Sequence, residues 1–120
     1  MSDPVERLLW DAAKNGRASE VSSLLRDHRE IDVNWTTNPQ STPLHKASFN
    51  GHVEVVKLLL ANPNIEVNLK CGNGQTPFSL GVSFVEVLLK DSRVDVTLHD
   101  NKGRTPLWSA SYYGQHEVIE

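Results

Sequence analysis

The apolar residues of this chain fall into short amphipathic groups that recur in a fixed order. In the clearest group, Leu44, Ala47 and Ser48 share one side of a helix that ends near Asn50-Gly51. A second apolar-rich helix follows across Val53, Val55, Val56, Leu59 and Leu60. Ala61-Asn62-Pro63-Asn64 breaks it, and a short extended segment from Ile65 to Leu69 leads into the turn Cys71-Gly72-Asn73-Gly74. One unit therefore reads as helix, turn, helix, hairpin-like loop. Leu9, Ala12, Ala13 and Gly16 stand where Leu44, Ala47, Ser48 and Gly51 stand, so residues 5–34 fit as an earlier copy. Arg7, Asp11, Lys14 and Arg17 make the exposed side of that copy polar, as a terminal capping unit requires.

Two motifs mark the repeat. Thr42-Pro43-Leu44-His45 recurs as Thr76-Pro77-Phe78-Ser79 and as Thr105-Pro106-Leu107-Trp108, at spacings of 34 and then 29 residues. Ile31-Asp32-Val33-Asn34 recurs as Ile65-Glu66-Val67-Asn68 and Val94-Asp95-Val96-Thr97. Thr-Pro is a helix start: the hydroxyl accepts from an early backbone N–H, and proline in the first turn gives up no useful donor.

Thr42 through Ala47 matches the Thr-Pro-Leu-His-x-Ala motif of the ankyrin repeat, and Gly51-His52-Val53 through Leu60 looks like that family's second helix. The chain thus resembles an ankyrin-repeat protein over nearly its whole length. The resemblance implies an all-α solenoid of stacked helix-turn-helix units with hairpin-like loops. It also implies one domain over residues 1–120, with units at about 5–41, 42–75, 76–104 (shortened) and 105–120 (incomplete).

The third unit departs from the pattern. Thr42 to Leu60 holds 19 residues for two helices and their turn, whereas Thr76 to Leu89 holds 14. The missing five fall opposite Phe49 to Val53. Phe78, Val82, Val85 and Leu89 sit at helical spacing, so this stretch is expected to run as one continuous helix of about 21 Å, with Gly81 as a weak point. No C-terminal cap is visible before Glu120, so apolar surface and low stability are expected at that end. Gln40 stands where Gly74 and Gly103 stand in the later loops, which implies an altered turn around Asn38-Pro39.

Composition narrows the function. Twelve basic against fifteen acidic residues, with no long single-sign run, supply no phosphate-binding footprint, so nucleic acid is a poor partner. Cys71 is the only cysteine, the acidic N-terminus carries no export signal, and the longest aliphatic run is Leu58-Leu59-Leu60. These features point to an intracellular, cytoplasmic chain, the nucleus being compatible, with no membrane insertion.

Candidate chemistry is sparse. His45 and His52 lack the spacing of a metal site, and His45 resembles the family's structural hydrogen-bonding residue. Cys71 with His99 lacks a third orienting group, and Gly72-Asn73-Gly74 is a turn, not a phosphate loop. The reading is a noncatalytic protein, with no cofactor and no small-molecule substrate, that binds an unidentified partner protein through loop tips and the concave helix face. The family's variable positions map to Lys46, Phe49 and Asn50, and to Ser109, Tyr112 and Tyr113. Trp35, Asn38, Pro39, Asn73, Asn101 and Lys102 supply the loop tips, the aromatic residues being the preferred contacts. Trp10 and Trp108 take the histidine position of the motif and are expected to be packed. The resemblance also places Asn34 and Asn68 where many ankyrin proteins are hydroxylated. Two rivals stand beside this reading: a segment of a larger multidomain enzyme or channel, and a degenerate product without a partner.

Overall fold

The computed structural model describes residues 4–37, 40–77, 92–95, 98 and 100–103. Four helices are set out among them: α1 (Val5–Lys14), α2 (Ala18–Asp27), α3 (Pro43–Phe49) and α4 (Val53–Leu60). Helices of ten residues or fewer are marginal alone, so their stability comes from packing. α1 and α2 form one antiparallel hairpin and α3 and α4 the next. α1 packs on α3 and α2 on α4, giving two parallel layers.

The core lies between the layers. Leu9, Ala12, Ala13 and Val21 of the first unit meet Leu44, Ala47, Val55, Val56 and Leu59 of the second, with Ile31, Val33, Ile65 and Val67 closing the far side. The fully buried alanines let the inner helices approach closely, as their small size predicts. Leu8, by contrast, remains 45% exposed on the end of the first unit, so that cap is less polar than its charges suggest. The turn between α1 and α2 needs Gly16 twice over. Its φ is +72°, and a Cβ there would lie 2.6 Å from His52 Nδ1.

Successive units are stitched together by side-chain-to-backbone bonds among the segments that follow α2 and α4. The Asn34 amide donates to Asn64 O (2.9 Å) while its carbonyl accepts from Glu66 N–H (2.9 Å). Asn68 repeats this one unit on, donating to Arg93 O (2.7 Å) and accepting from Asp95 N–H (2.8 Å). At Asp32, which stands where Glu66 and Asp95 stand, the backbone N–H meets a different acceptor. There Glu6 accepts from Asp32 N–H through its carboxylate (3.1 Å), so an acid takes over the acceptor role.

This stitching corrects one expectation. The passage from Ile65 to Leu69 is not continuously extended: the chain turns at Val67-Asn68, and no strand occurs among the described residues. The turn aims the Asn68 side chain at the next unit while Ile65 and Val67 stay buried. The single helix expected over the shortened third unit, and the whole of the fourth unit at 105–120, lie outside the described residues.

Candidate functional site

The candidate site is built at the start of α3. Thr42 caps the helix: its Oγ1 accepts from His45 N–H (3.2 Å), and His45 Nδ1 accepts in return from Thr42 N–H (3.2 Å). That exchange fixes the imidazole tautomer, because Nδ1 must be unprotonated to accept. Nε2 therefore carries the proton and donates to Leu69 O (2.8 Å) and Gln75 O (3.1 Å), pinning the following loop to the helix. Burial holds His45 below its ordinary pKa of 6.5, against the two carbonyls that favour its charged form, with Lys46 adding to the lowering. In the first unit Trp10 takes this place, and its indole N–H donates to Ser41 O (3.0 Å), the counterpart of Gln75.

The loops themselves repeat. Cys71 N–H donates to Gln75 O (2.9 Å), and Thr37 N–H to Ser41 O (3.1 Å) in the preceding loop. Adjacent loops are tied by Gly72 N–H to Gln40 O (2.9 Å) and Asn101 N–H to Asn73 O (3.2 Å). Gly74, at φ +78°, faces the Asn101 backbone too closely to admit a Cβ. Gln40 occupies the equivalent place one loop earlier.

Between α3 and the 71–75 loop lies an open groove of about 350 Å³, lined by Gln40, Ser41, His45, Lys46, Phe49, Cys71, Gly72, Asn73 and Gln75. Phe49 stands in it 65% exposed, one of two large apolar side chains so exposed among the described residues. Lys46 lies one turn before Phe49 on α3, and its ammonium is 5.8 Å from the centre of the Trp10 ring. Arg7 (5.4 Å) and Lys14 (5.5 Å) meet the same ring. The ring is a shared platform for three cations.

Against known families, the model described as Ankyrin repeats (3 copies) matches residues 5–71, more than half of the chain. The chain belongs to the ankyrin-repeat family. It is 45% identical over 60 residues to ankyrin repeat domain-containing protein 49 of Bos taurus, covering 50% of this chain and 24% of that one. It is 35% identical over 109 residues to oxysterol-binding protein-related protein 1 of Mus musculus, covering 91% of this chain and 11% of that one. A probable E3 ubiquitin-protein ligase, XBOS32 of Oryza sativa subsp. japonica, is 38% identical over 71 residues, covering 59% of this chain and 14% of that one. The chain thus spans a quarter or less of the length of these relatives. Ankyrin repeats are in general protein-interaction modules.

Of the residues singled out from sequence, Lys46, Phe49 and Asn73 come together in the groove. Asn50 is exposed at the end of α3, but its amide is committed: it donates to Lys14 O (3.0 Å), which His52 Nε2 also meets at 2.9 Å, so the pair satisfies the end of α1. Asn101 and Lys102 are exposed at the next loop tip, where Asn101 donates to Gly72 O (3.3 Å) and Lys102 N–H to Asp100 Oδ1 (2.9 Å). Trp35 is half-buried and is not among the groove residues. Asn38, Pro39, Ser109, Tyr112 and Tyr113, with Trp108 and His99, lie outside the described residues.

Sequence reasoning passed over Ser41 and Gln75 and took Gln40 only as a loop substitution, since their side of the groove is shaped by backbone pairing, and it read Lys14 and Arg7 as solvated cap. The signal for Lys14 was present in the 35-residue offset that sets it opposite Phe49. No helix of the described residues is long and apolar enough to cross a membrane, and no group of three or more His, Cys, Asp or Glu residues among them is placed to hold a metal ion. Cys71 is a free, half-buried thiol on the groove wall.

Proposed function

We propose that this chain is a noncatalytic recognition module that holds a segment of a partner protein in the concave groove between α3 and the 71–75 loop. The observation that carries the reading is Phe49, presented 65% exposed on a short capped helix beside Lys46. Fully burying a phenylalanine is worth about 1.5–3 kcal/mol, so covering what Phe49 exposes contributes roughly 1–2 kcal/mol to association. Residues of this type, at the centre of a patch, dominate measured interfaces. The loop tie His45 to Gln75 keeps the opposite wall in place before a partner arrives, which lowers the ordering cost of binding.

The test is selection of binding peptides from a random phage-displayed library on the whole chain, followed by titration of the selected peptides against wild type and Phe49→Ala. The reading expects saturable binding that the substitution weakens about 5- to 30-fold. Binding indifferent to Phe49 sinks it.

A second reading is favoured by the small share of each relative that the chain spans: that the groove is the recognition arm of a larger protein whose other activity lies in further domains. Sequencing of full-length transcripts separates the two. Either version carries a reducing, intracellular location, cytoplasmic in the first instance, which the lone cysteine supports.

A further inference from the structure

We infer that the segment this groove takes is acidic: an extended stretch of a partner protein that sets a carboxylate beside Lys46 and Lys14 and an adjoining apolar side chain on Phe49. The inference rests on the groove being the binding site and adds the chemistry of its occupant.

Its basis is a local reversal of charge. The chain carries a net charge of -3, yet the groove lining contains one cation, Lys46, and no carboxylate. The acids on the outer layer have basic partners: Glu20 pairs with Arg17 and Asp27 with Arg26 on the α2 side, and Glu54 with Lys57 on α4. Glu6 is taken by Asp32 N–H. On the groove side Asp11 pairs with Arg7 at 3.6 Å, whereas Lys14 and Lys46 form no ion pair among the described residues.

Those two ammoniums nonetheless converge, with Arg7, on one indole that is only 7% exposed. The ring's π-system holds them, but cations gathered around one ring repel each other, and an incoming carboxylate relieves that repulsion as well as attracting each cation. Lys46 and Phe49 are three apart on α3 and so are surface neighbours, a spacing of about 5–6 Å that acidic and apolar side chains two positions apart on one face of an extended segment can match. His45 adds no charge to the groove floor, since its Nδ1 must stay unprotonated to accept from Thr42. The exposed amide of Asn73 and the half-buried one of Gln75 line the opposite wall, where an extended backbone finds donors and acceptors.

The same charges argue for protein over nucleic acid. The one guanidinium of the cluster, the group best suited to phosphate, is already paired with Asp11. A polyanion would extend beyond the local cations across a net-negative surface, whereas a short acidic segment senses only charges within a Debye length of about 8 Å.

The peptides selected from the random library on the whole chain give the test. We expect them to combine Asp or Glu with a neighbouring aromatic or aliphatic residue, and to lose affinity as salt rises. Lys46→Glu and Lys14→Glu should each weaken them about tenfold at low salt, Lys46→Gln somewhat less, and Lys57→Glu on the outer layer should leave them unchanged. Circular dichroism establishes that each variant keeps its helices, and Lys46→Gln decides the matter if a reversed charge does not. Neutral or basic peptides that need Phe49 but ignore both lysines overturn the acidic assignment and leave the groove standing. An empty selection, or peptides that ignore Phe49, overturns the groove and the assignment together. An oligouridine probe that binds through Lys46 more tightly than any selected peptide overturns the choice of a protein segment.

Discussion

Replacing Asn34 with alanine removes both hydrogen bonds by which the first unit is stitched to the second, the donor to Asn64 O and the acceptor for Glu66 N–H, each 2.9 Å long. A hydrogen bond of this kind contributes about 0.5–1.5 kcal/mol net. Asn64 and Glu66 are exposed, so water takes up part of what they lose, and the expected cost is about 1–2 kcal/mol. At roughly 4 °C per kcal/mol for a domain of this size, the midpoint of thermal unfolding should fall by about 4–8 °C. The loss falls at a junction between units, so the urea unfolding transition should also broaden. Asn34→Asp dissects the two bonds, since a carboxylate still accepts from Glu66 N–H but cannot donate to Asn64 O; about half the loss is expected. Glu6→Ala, which removes only one acceptor, should also cost less than Asn34→Ala. The assay is thermal and urea unfolding of the four proteins followed by far-ultraviolet circular dichroism. An unchanged midpoint for Asn34→Ala, or an Asp variant as stable as wild type, refutes the stitching account.

Three further outcomes follow from the same structure. Gly16→Ala should destabilise by about 2 kcal/mol or more, because it combines a left-handed backbone with a Cβ 2.6 Å from His52 Nδ1; Gly103→Ala, at φ +77° with open space around it, should cost about 1 kcal/mol in the same melts. Ser48→Ala should stabilise by about 1 kcal/mol in urea titrations, since the buried Ser48 Oγ has no hydrogen-bond partner among the described residues and Ala13 already fills the equivalent place in the first unit. His45 has a folded pKa below its unfolded 6.5, so between the two values the unfolded chain binds more protons; its contribution is present above pH 6.5 and is lost as pH falls below it, and unfolding titrations at stepped pH should show that slope flattened in His45→Asn.

The helix starts and the apolar face were legible because both are local. Thr42-Pro43 names a cap and a first turn, and Leu44, Ala47, Val55, Val56 and Leu59 all reach the core that their spacing assigns. The contacts between units were less legible because each joins residues some thirty positions apart. The Val-Asn pairs were visible as a repeat, but nothing near Asn34 or Asn68 shows which carbonyl and amide they reach. Glu6 reads locally as an acid in a first turn, suited to the helix dipole, and only the folded chain reveals that it accepts from Asp32 N–H, as Asn34 and Asn68 accept from Glu66 and Asp95. Trp10 was expected to pack and does, yet its indole bond to Ser41 O and its three cations required knowing that α3 lies alongside α1. The groove was half legible: Lys46 and Phe49 follow from their place on α3, whereas Gln40, Ser41 and Gln75 are brought there by pairing between loops.

The proposed recognition of protein through the groove of Lys46 and Phe49 is open to direct measurement: the change in backbone amide chemical shifts when a selected peptide is titrated into the isotopically labelled chain. The shifts should concentrate on α3 and residues 71–75 and leave α2 and α4 largely unmoved. Shifts centred on α2 and α4, with those of Lys46, Phe49 and Gln75 unchanged, would contradict it.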